Sequence, residues 1–223
     1  MTSDAPPIRQ LSAPDLKALI ESGTSIELRP ESGWAWPELD LVDPAAGGAP
    51  QEQRDALKLL AVMVQHSDSK PEQQRIVCPG EKAAEKAAEK AAEDVEVCAE
   101  PIMMVNDLGQ TFGSANTFNR NPLSSVNFER WSRTKVWMSG TGCVGNLPPS
   151  QTGTLDNPRI GDAGRRFLAA LLVQLTDTQL RDLFEVARFP QRKTGSVHAA
   201  TTDEWVNAFK QKRDEIVNRS CAS

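Results

Sequence analysis

His66-Ser67-Asp68-Ser69-Lys70-Pro71-Glu72-Gln73 decides how the rest of the chain is read. It gathers a carboxylate, an ammonium and a side-chain amide on a short segment. Just upstream, Arg54–Gln65 is a near-continuous apolar run: Ala56, Leu57, Leu59, Leu60, Ala61, Val62, Met63 and Val64. A helix apolar on most sides belongs in a core, so the octapeptide is expected to emerge directly from the interior. Downstream, Arg75-Ile76-Val77-Cys78 reads as a short strand.

A second polar turn follows a second strand. Ile102–Val105 is apolar and strand-like and runs into Asn106-Asp107-Leu108-Gly109. Between the two strands lie a shorter candidate strand, Val95–Val97, and a repeat at Glu81–Glu93 in which Glu-Lys-Ala-Ala recurs. The repeat is made of strong helix formers with Lys and Glu paired at i,i+3. Alanine is its only apolar component, so the 80–94 segment is expected to be an exposed helical insertion without chemistry of its own.

Outward from this centre the pattern becomes helical. Asp162–Leu175 places Phe167, Leu168, Leu171, Leu172 and Leu175 on one face. Thr176-x-x-Gln179 and Thr201-x-x-Glu204 are capping boxes, each opening a further helix. Gln110 to Pro158 reads as mostly loop, with apolar pieces near Val126–Trp131 and Val136–Met138. Within it, Gly140-Thr-Gly142-Cys-Val-Gly145 matches a dinucleotide fingerprint by letter but runs into Pro148-Pro149, which cannot open a helix, and reads as a flexible loop. Residues 1–53 form an irregular segment with a short helix at Pro14–Ser22, a short strand at Gly23–Leu28, a packed loop carrying Trp34 and Trp36, and a linker at Asp43–Pro50.

Composition narrows the function classes. The net charge of −5 on 223 residues gives no global electrostatic case for nucleic acid or an anionic membrane. No apolar run approaches a membrane span. Met1-Thr-Ser-Asp4 lacks the basic start and apolar run of a signal peptide, which points to the cytoplasm by default, or to the periplasm or secretion should the natural start lie upstream. Cys78, Cys98, Cys143 and Cys221 fit no metal spacing. They are expected either as two bridges, Cys78–Cys98 and Cys143–Cys221, or as four thiols.

Two motifs in order carry a resemblance. HSDSKPEQ at 66–73 resembles the H-R-D-L-K-P-E-N catalytic loop of protein kinases, and Asp107-Leu108-Gly109 resembles the metal-binding D-F-G. The apolar helix before the first motif also matches that family's arrangement. The likeness is to the C-terminal lobe of the protein-kinase-like superfamily. It implies catalytic roles for Asp68, orienting the attacking hydroxyl, and for Lys70, offsetting phosphate charge. It implies nucleotide contacts from Lys70 and Asp107, magnesium ligation by Asp107 and Gln73, and ATP with Mg²⁺ as cofactors. The chain departs from the pattern where Gln73 replaces the metal-binding asparagine and Ser67 replaces the arginine, and no A-P-E follows.

The expected fold is α+β and mainly helical, a kinase C-lobe-like domain over 54–223 with short β-hairpins carrying the motifs. Residues 1–65 contain no glycine-rich hairpin or phosphate-pairing lysine. The expected function is therefore that of a truncated ATP- and Mg-dependent phosphotransferase relative whose N-lobe a protein partner supplies. Two other readings stay open: a non-catalytic pseudokinase-like interaction or structural module, and an unrelated helical domain with chance motifs.

Overall fold

The computed structural model describes residues 33–46, 48–77, 102–108, 110–113, 126–140, 142–150, 153–192 and 200–221. The helix expected at Pro14–Ser22, the strand at Gly23–Leu28, the Glu-Lys-Ala-Ala repeat, the strand at Val95–Val97 and the Cys78–Cys98 pair lie outside them. The described elements are α1 (Gln51–Val64), β1 (Gln74–Val77), β2 (Ile102–Val105), α2 (Phe128–Arg133), α3 (Asp162–Leu172), α4 (Asp177–Val186) and α5 (Thr202–Val217). The fold is mainly helical α+β, with one two-stranded antiparallel sheet. Among the described residues no helix is long and apolar enough to cross a membrane.

Helix α1 runs through the middle of a single hydrophobic core and buries Ala56, Leu59, Ala61, Val62 and Met63. It starts earlier than its apolar pattern predicts, at Gln51 rather than Arg54, because its polar first turn is used structurally. The Arg54 guanidinium donates to the carbonyls of Leu39 and Val42, each at 2.7 Å, which holds the 3₁₀ turn Trp36–Leu41 against the helix. Asp55, also buried, accepts the Gly161 N–H at 2.8 Å just ahead of α3. Trp34, Trp36 and Leu39 sit in the same core as α1, in keeping with the packed loop expected at 33–37 with its two indoles covering part of the core.

The end of α1 directs the chain into the octapeptide. Gln65 adopts a left-handed conformation (φ 56°), its N–H bonds to the Val62 carbonyl and the His66 N–H bonds to the Ala61 carbonyl. This is the Schellman arrangement that stops a helix and satisfies its last carbonyls. The remaining two are met from a distance: Trp131 Nε1 donates to Met63 O at 2.8 Å and Phe112 N donates to Val64 O at 2.6 Å.

Helices α3, α4 and α5 close the other side of the core. Thr176 and Thr201 both form the full reciprocal capping boxes read from the sequence. Helix α3 ends at Leu172 instead of Leu175, where the chain turns toward the Thr176 cap. Phe112, Trp131, Phe184, Phe189 and Trp205 form an aromatic cluster, with Trp205 4.8 Å from Phe189 and 5.3 Å from Trp131, centroid to centroid.

Two loop expectations are corrected. Phe128–Arg133, overlapping the apolar 126–131 piece, is helical: Asn127 caps α2 by accepting the Arg130 N–H at 3.0 Å, and buried Trp131 pins it to the core. The glycine-rich 140–145 stretch is anchored as well as looped. Trp137 pairs with Gly145 and Val144 with Arg159 in isolated antiparallel bridges, and Cys143 is joined to Cys221. That disulfide is one of the two pairings considered, and it ties the chain end after α5 to this loop.

Candidate functional site

Sheet register brings the two motifs together. Gln74 pairs with Val105 and Val77 with Ile102, so the end of the octapeptide and the start of Asn106-Asp107-Leu108 leave the same edge of the hairpin. The Gln73 carbonyl accepts both the Asn106 and the Asp107 N–H, each at 3.2 Å. Trp34 Nε1 reaches the carbonyls of Arg75 (3.2 Å) and Met104 (3.3 Å), one on each strand.

Asp68 is 8% exposed and lies between the motifs. Its Oδ2 accepts the Gln73 side-chain amide at 2.9 Å and the Gln110 side-chain amide at 3.1 Å. The amide nitrogen of Gln73 is thus committed to Asp68, and its Oε1 is buried with no hydrogen-bond partner among the described residues. Asp107 is exposed at the edge. Lys70 is half-buried two residues further on.

The loop backbone is held from behind by a segment far away in sequence. Ser69, 1% exposed, takes the N–H groups of Thr154 (3.1 Å) and Leu155 (3.2 Å) on its hydroxyl oxygen. Its carbonyl accepts the Thr154 hydroxyl at 2.8 Å, and that hydroxyl oxygen accepts the Trp36 N–H at 3.1 Å. Ser150 donates to the Ser67 carbonyl at 2.6 Å. Two glycines allow this packing. A Cβ on Gly33 would stand 1.9 Å from the Pro71 carbonyl oxygen, and one on Gly153 would stand 2.7 Å from that of Ser67.

His66 is 1% exposed and 3.4 Å from the Gln74 amide nitrogen through Nε2. Burial pushes its pKa below the usual histidine value, while the carboxylates of Asp68 and Asp107 pull it back up; burial is the larger effect. The imidazole is therefore a neutral buttress beneath the loop, and both aspartates lie within its electrostatic reach.

Sequence reading placed Asp68, Lys70, Gln73 and Asp107 in one site, and hairpin pairing does bring their segments side by side. It overlooked Gln110, Ser69 and Thr154. Gln110 stands three positions after Asp107, a proximity that could have flagged it; Thr154 carried no signal. Among the described residues no three of His, Cys, Asp or Glu gather as a metal cluster. A separate cleft of about 510 Å³ lies between the Trp36–Leu41 turn, α1 and the 154–161 segment, with Lys58, Asp40 and Asp55 among its lining residues. None of the four predicted residues lines it. No family model, curated protein or solved structure matches the chain.

Proposed function

We propose that the corner formed by residues 66–73 and 105–110 is the catalytic-loop half of a kinase-like phosphotransfer site. The observation that supports this most is the meeting of the two motifs on one carboxylate. Side-chain amides from the octapeptide and from the Asp107 loop both end on Asp68, while the Asp107 N–H ends on Gln73. Phosphoryl transfer asks mainly for positioning and charge compensation. Asp68 orients the acceptor hydroxyl, and Lys70 stands two residues on, where an ammonium offsets phosphate charge.

The donor set suits magnesium with a nucleotide. Gln73 Oε1 is a buried oxygen acceptor to which no described residue donates, and Asp107 is an exposed carboxylate on the adjoining segment. All-oxygen coordination with few protein ligands, completed by phosphate and water, is the usual habit of Mg²⁺. These two residues would hold the ion, which supplies neutralisation of phosphate charge when bound. The nucleotide-covering lobe is assigned to a protein partner.

A second reading has its own support. Asp68 is nearly buried and two amides already crowd one of its oxygens, as in a carboxylate retained to hold a loop together. This is the non-catalytic, pseudokinase-like alternative. Thermal unfolding with and without Mg·ATP separates the two, because binding to the native state raises stability by RT ln(1 + [L]/Kd), about 2.7 kcal/mol at a hundredfold excess over Kd. The expected result is a rise in Tm at millimolar nucleotide that is lost in Asp107→Ala. The absence of any rise in the wild-type chain supports the non-catalytic module.

A further inference from the structure

We infer that Gln110 is a positioning residue that couples the Asp107 loop to Asp68, setting the orientation of the Asp68 carboxylate for its reaction. This rests on the phosphotransfer reading above and adds to it a residue outside both recognised motifs.

The geometry is specific. Gln110 lies on the far side of the Asp107 turn from β2, and its Nε2 donates to Asp68 Oδ2 at 3.1 Å across 42 positions of sequence. The second donor to the same oxygen, Gln73 Nε2 at 2.9 Å, comes from the octapeptide itself. Gln73 alone can hold the carboxylate only relative to its own loop; Gln110 fixes it relative to the other motif. An amide donor to a carboxylate is a charge-assisted hydrogen bond, stronger and more directional than a neutral one. With two such donors on Oδ2, the carboxylate plane cannot turn without breaking one of them.

The Gln110 main chain is restrained as well. Its carbonyl lies 3.5 Å from the Ser67 hydroxyl. Two residues later, Phe112 is anchored by its N–H to Val64 O and by its ring, 4.9 Å from Phe189 and 5.1 Å from Trp131. Phe112 holds a left-handed backbone (φ 54°), uncommon for an aromatic residue and kept only where surrounding packing dictates it. The aromatic core thus fixes the base of the Asp107 loop, and Gln110 carries that fixed position onto Asp68. A displacement of the loop, such as binding at Asp107 could cause, is transmitted directly to the carboxylate that orients the acceptor.

The test uses the full chain, together with whatever partner turnover requires, and the variants Gln110→Met and Gln110→Glu. Methionine keeps the length and removes the donor; glutamate places a like charge against Asp68. With Mg·ATP, Gln110→Met is expected to lower kcat about tenfold or more with KM for nucleotide little changed, the signature of lost orientation. Gln110→Glu is expected to lose more, because it removes the donor and also sets a second carboxylate against Asp68. Equal losses in both variants, matched by equal falls in Tm, would show a merely structural residue and overturn the proposal, as would an unchanged kcat in Gln110→Met.

A second readout needs no activity. In ¹⁵N-labelled protein the Gln110 side-chain amide, identified by its disappearance in Gln110→Met, should shift in Asp68→Asn. No shift overturns the contact itself. A wild-type chain that shows this coupling but neither binds nor turns over Mg·ATP overturns the phosphotransfer reading and the catalytic role of Gln110 with it, while leaving the contact standing.

Discussion

The corner that carries the motifs and the aromatic end built by α2, α4 and α5 hold together by opposite means. At the aromatic end Trp205 is 1% exposed and Phe184 is fully buried, and most contacts there are ring against ring, summing many weak and nearly non-directional attractions. At the corner the buried groups are His66, Asp68, Ser69 and Gln74, and position is set by hydrogen bonds that each join one atom to one other. Packing tolerates small displacement and supplies stability; a polar network fixes orientation and fails abruptly when a member is lost. The Asp68 carboxylate is held by the second means, and the first supports the domain around it.

The comparison can be broken most forcefully at Trp205. Its ring contacts Phe128, Trp131, Phe184 and Phe189 at 4.8–5.6 Å between centroids, so no neighbour can collapse into the space a truncation leaves. Trp205→Ala is expected to cost about 3–5 kcal/mol, read as a fall in denaturant midpoint. A loss of less than about 1 kcal/mol would mean that the aromatic end is not the stabilising half.

At the corner the matching substitution is Ser69→Ala, which removes few atoms but leaves the Leu155 N–H without its partner in a buried place and takes away one of the two acceptors of the Thr154 N–H, the other being the Ser69 carbonyl. An unmet buried donor costs about 1–3 kcal/mol, so the expected loss is about 2 kcal/mol, several times what deleting one hydroxyl from a surface would do. Hydrogen exchange at the Leu155 amide should accelerate along with it. Unchanged exchange there would show that the 154–155 segment does not depend on Ser69.

What could be read beforehand follows the same division. Helices α1, α3, α4 and α5 were legible because their information is local: apolar spacing in Phe167, Leu168, Leu171 and Leu172, and Thr-x-x-Gln or Thr-x-x-Glu caps that close within one turn. Strands β1 and β2 were legible as apolar runs, and the two motifs by their letters. Helix α2 was missed because six residues are too few to display a period, and its stability comes from Trp131 reaching Met63. The clamp from Thr154 onto Ser69 and the donation from Gln110 to Asp68 left no local trace. They are meetings of ordinary polar residues created by the fold, and Ser, Thr and Gln look the same in a solvated loop. The prolines at 148 and 149 argued only that no helix opens there, and gave no sign that Val144 and Gly145 would pair in bridges.

The smallest effect expected is also the one that separates the two regions by pH. The aromatic residues do not titrate, whereas His66 is held neutral beneath the motif loop with its pKa pushed down by burial. In the unfolded chain the imidazole returns to about 6.5, so below that pH the unfolded state takes up a proton that the folded state refuses. Where the unfolded state binds more protons, stability rises with pH. It should therefore fall as pH drops from about 6.5 toward the lower folded value, by at most about 1.4 kcal/mol per pH unit for one group. Nearby carboxylates also titrate in acid, so the measurement is a difference: unfolding free energy against pH for the wild type and for His66→Gln. The variant should lose the part of the slope that begins near pH 6.5 and keep the part below about pH 4.5, where aspartate and glutamate dominate. A slope unchanged between pH 5 and 6.5 would mean that His66 accepts its proton in place, with Asp68 and Asp107 outweighing burial, and that the corner is more hydrated than its buried side chains indicate.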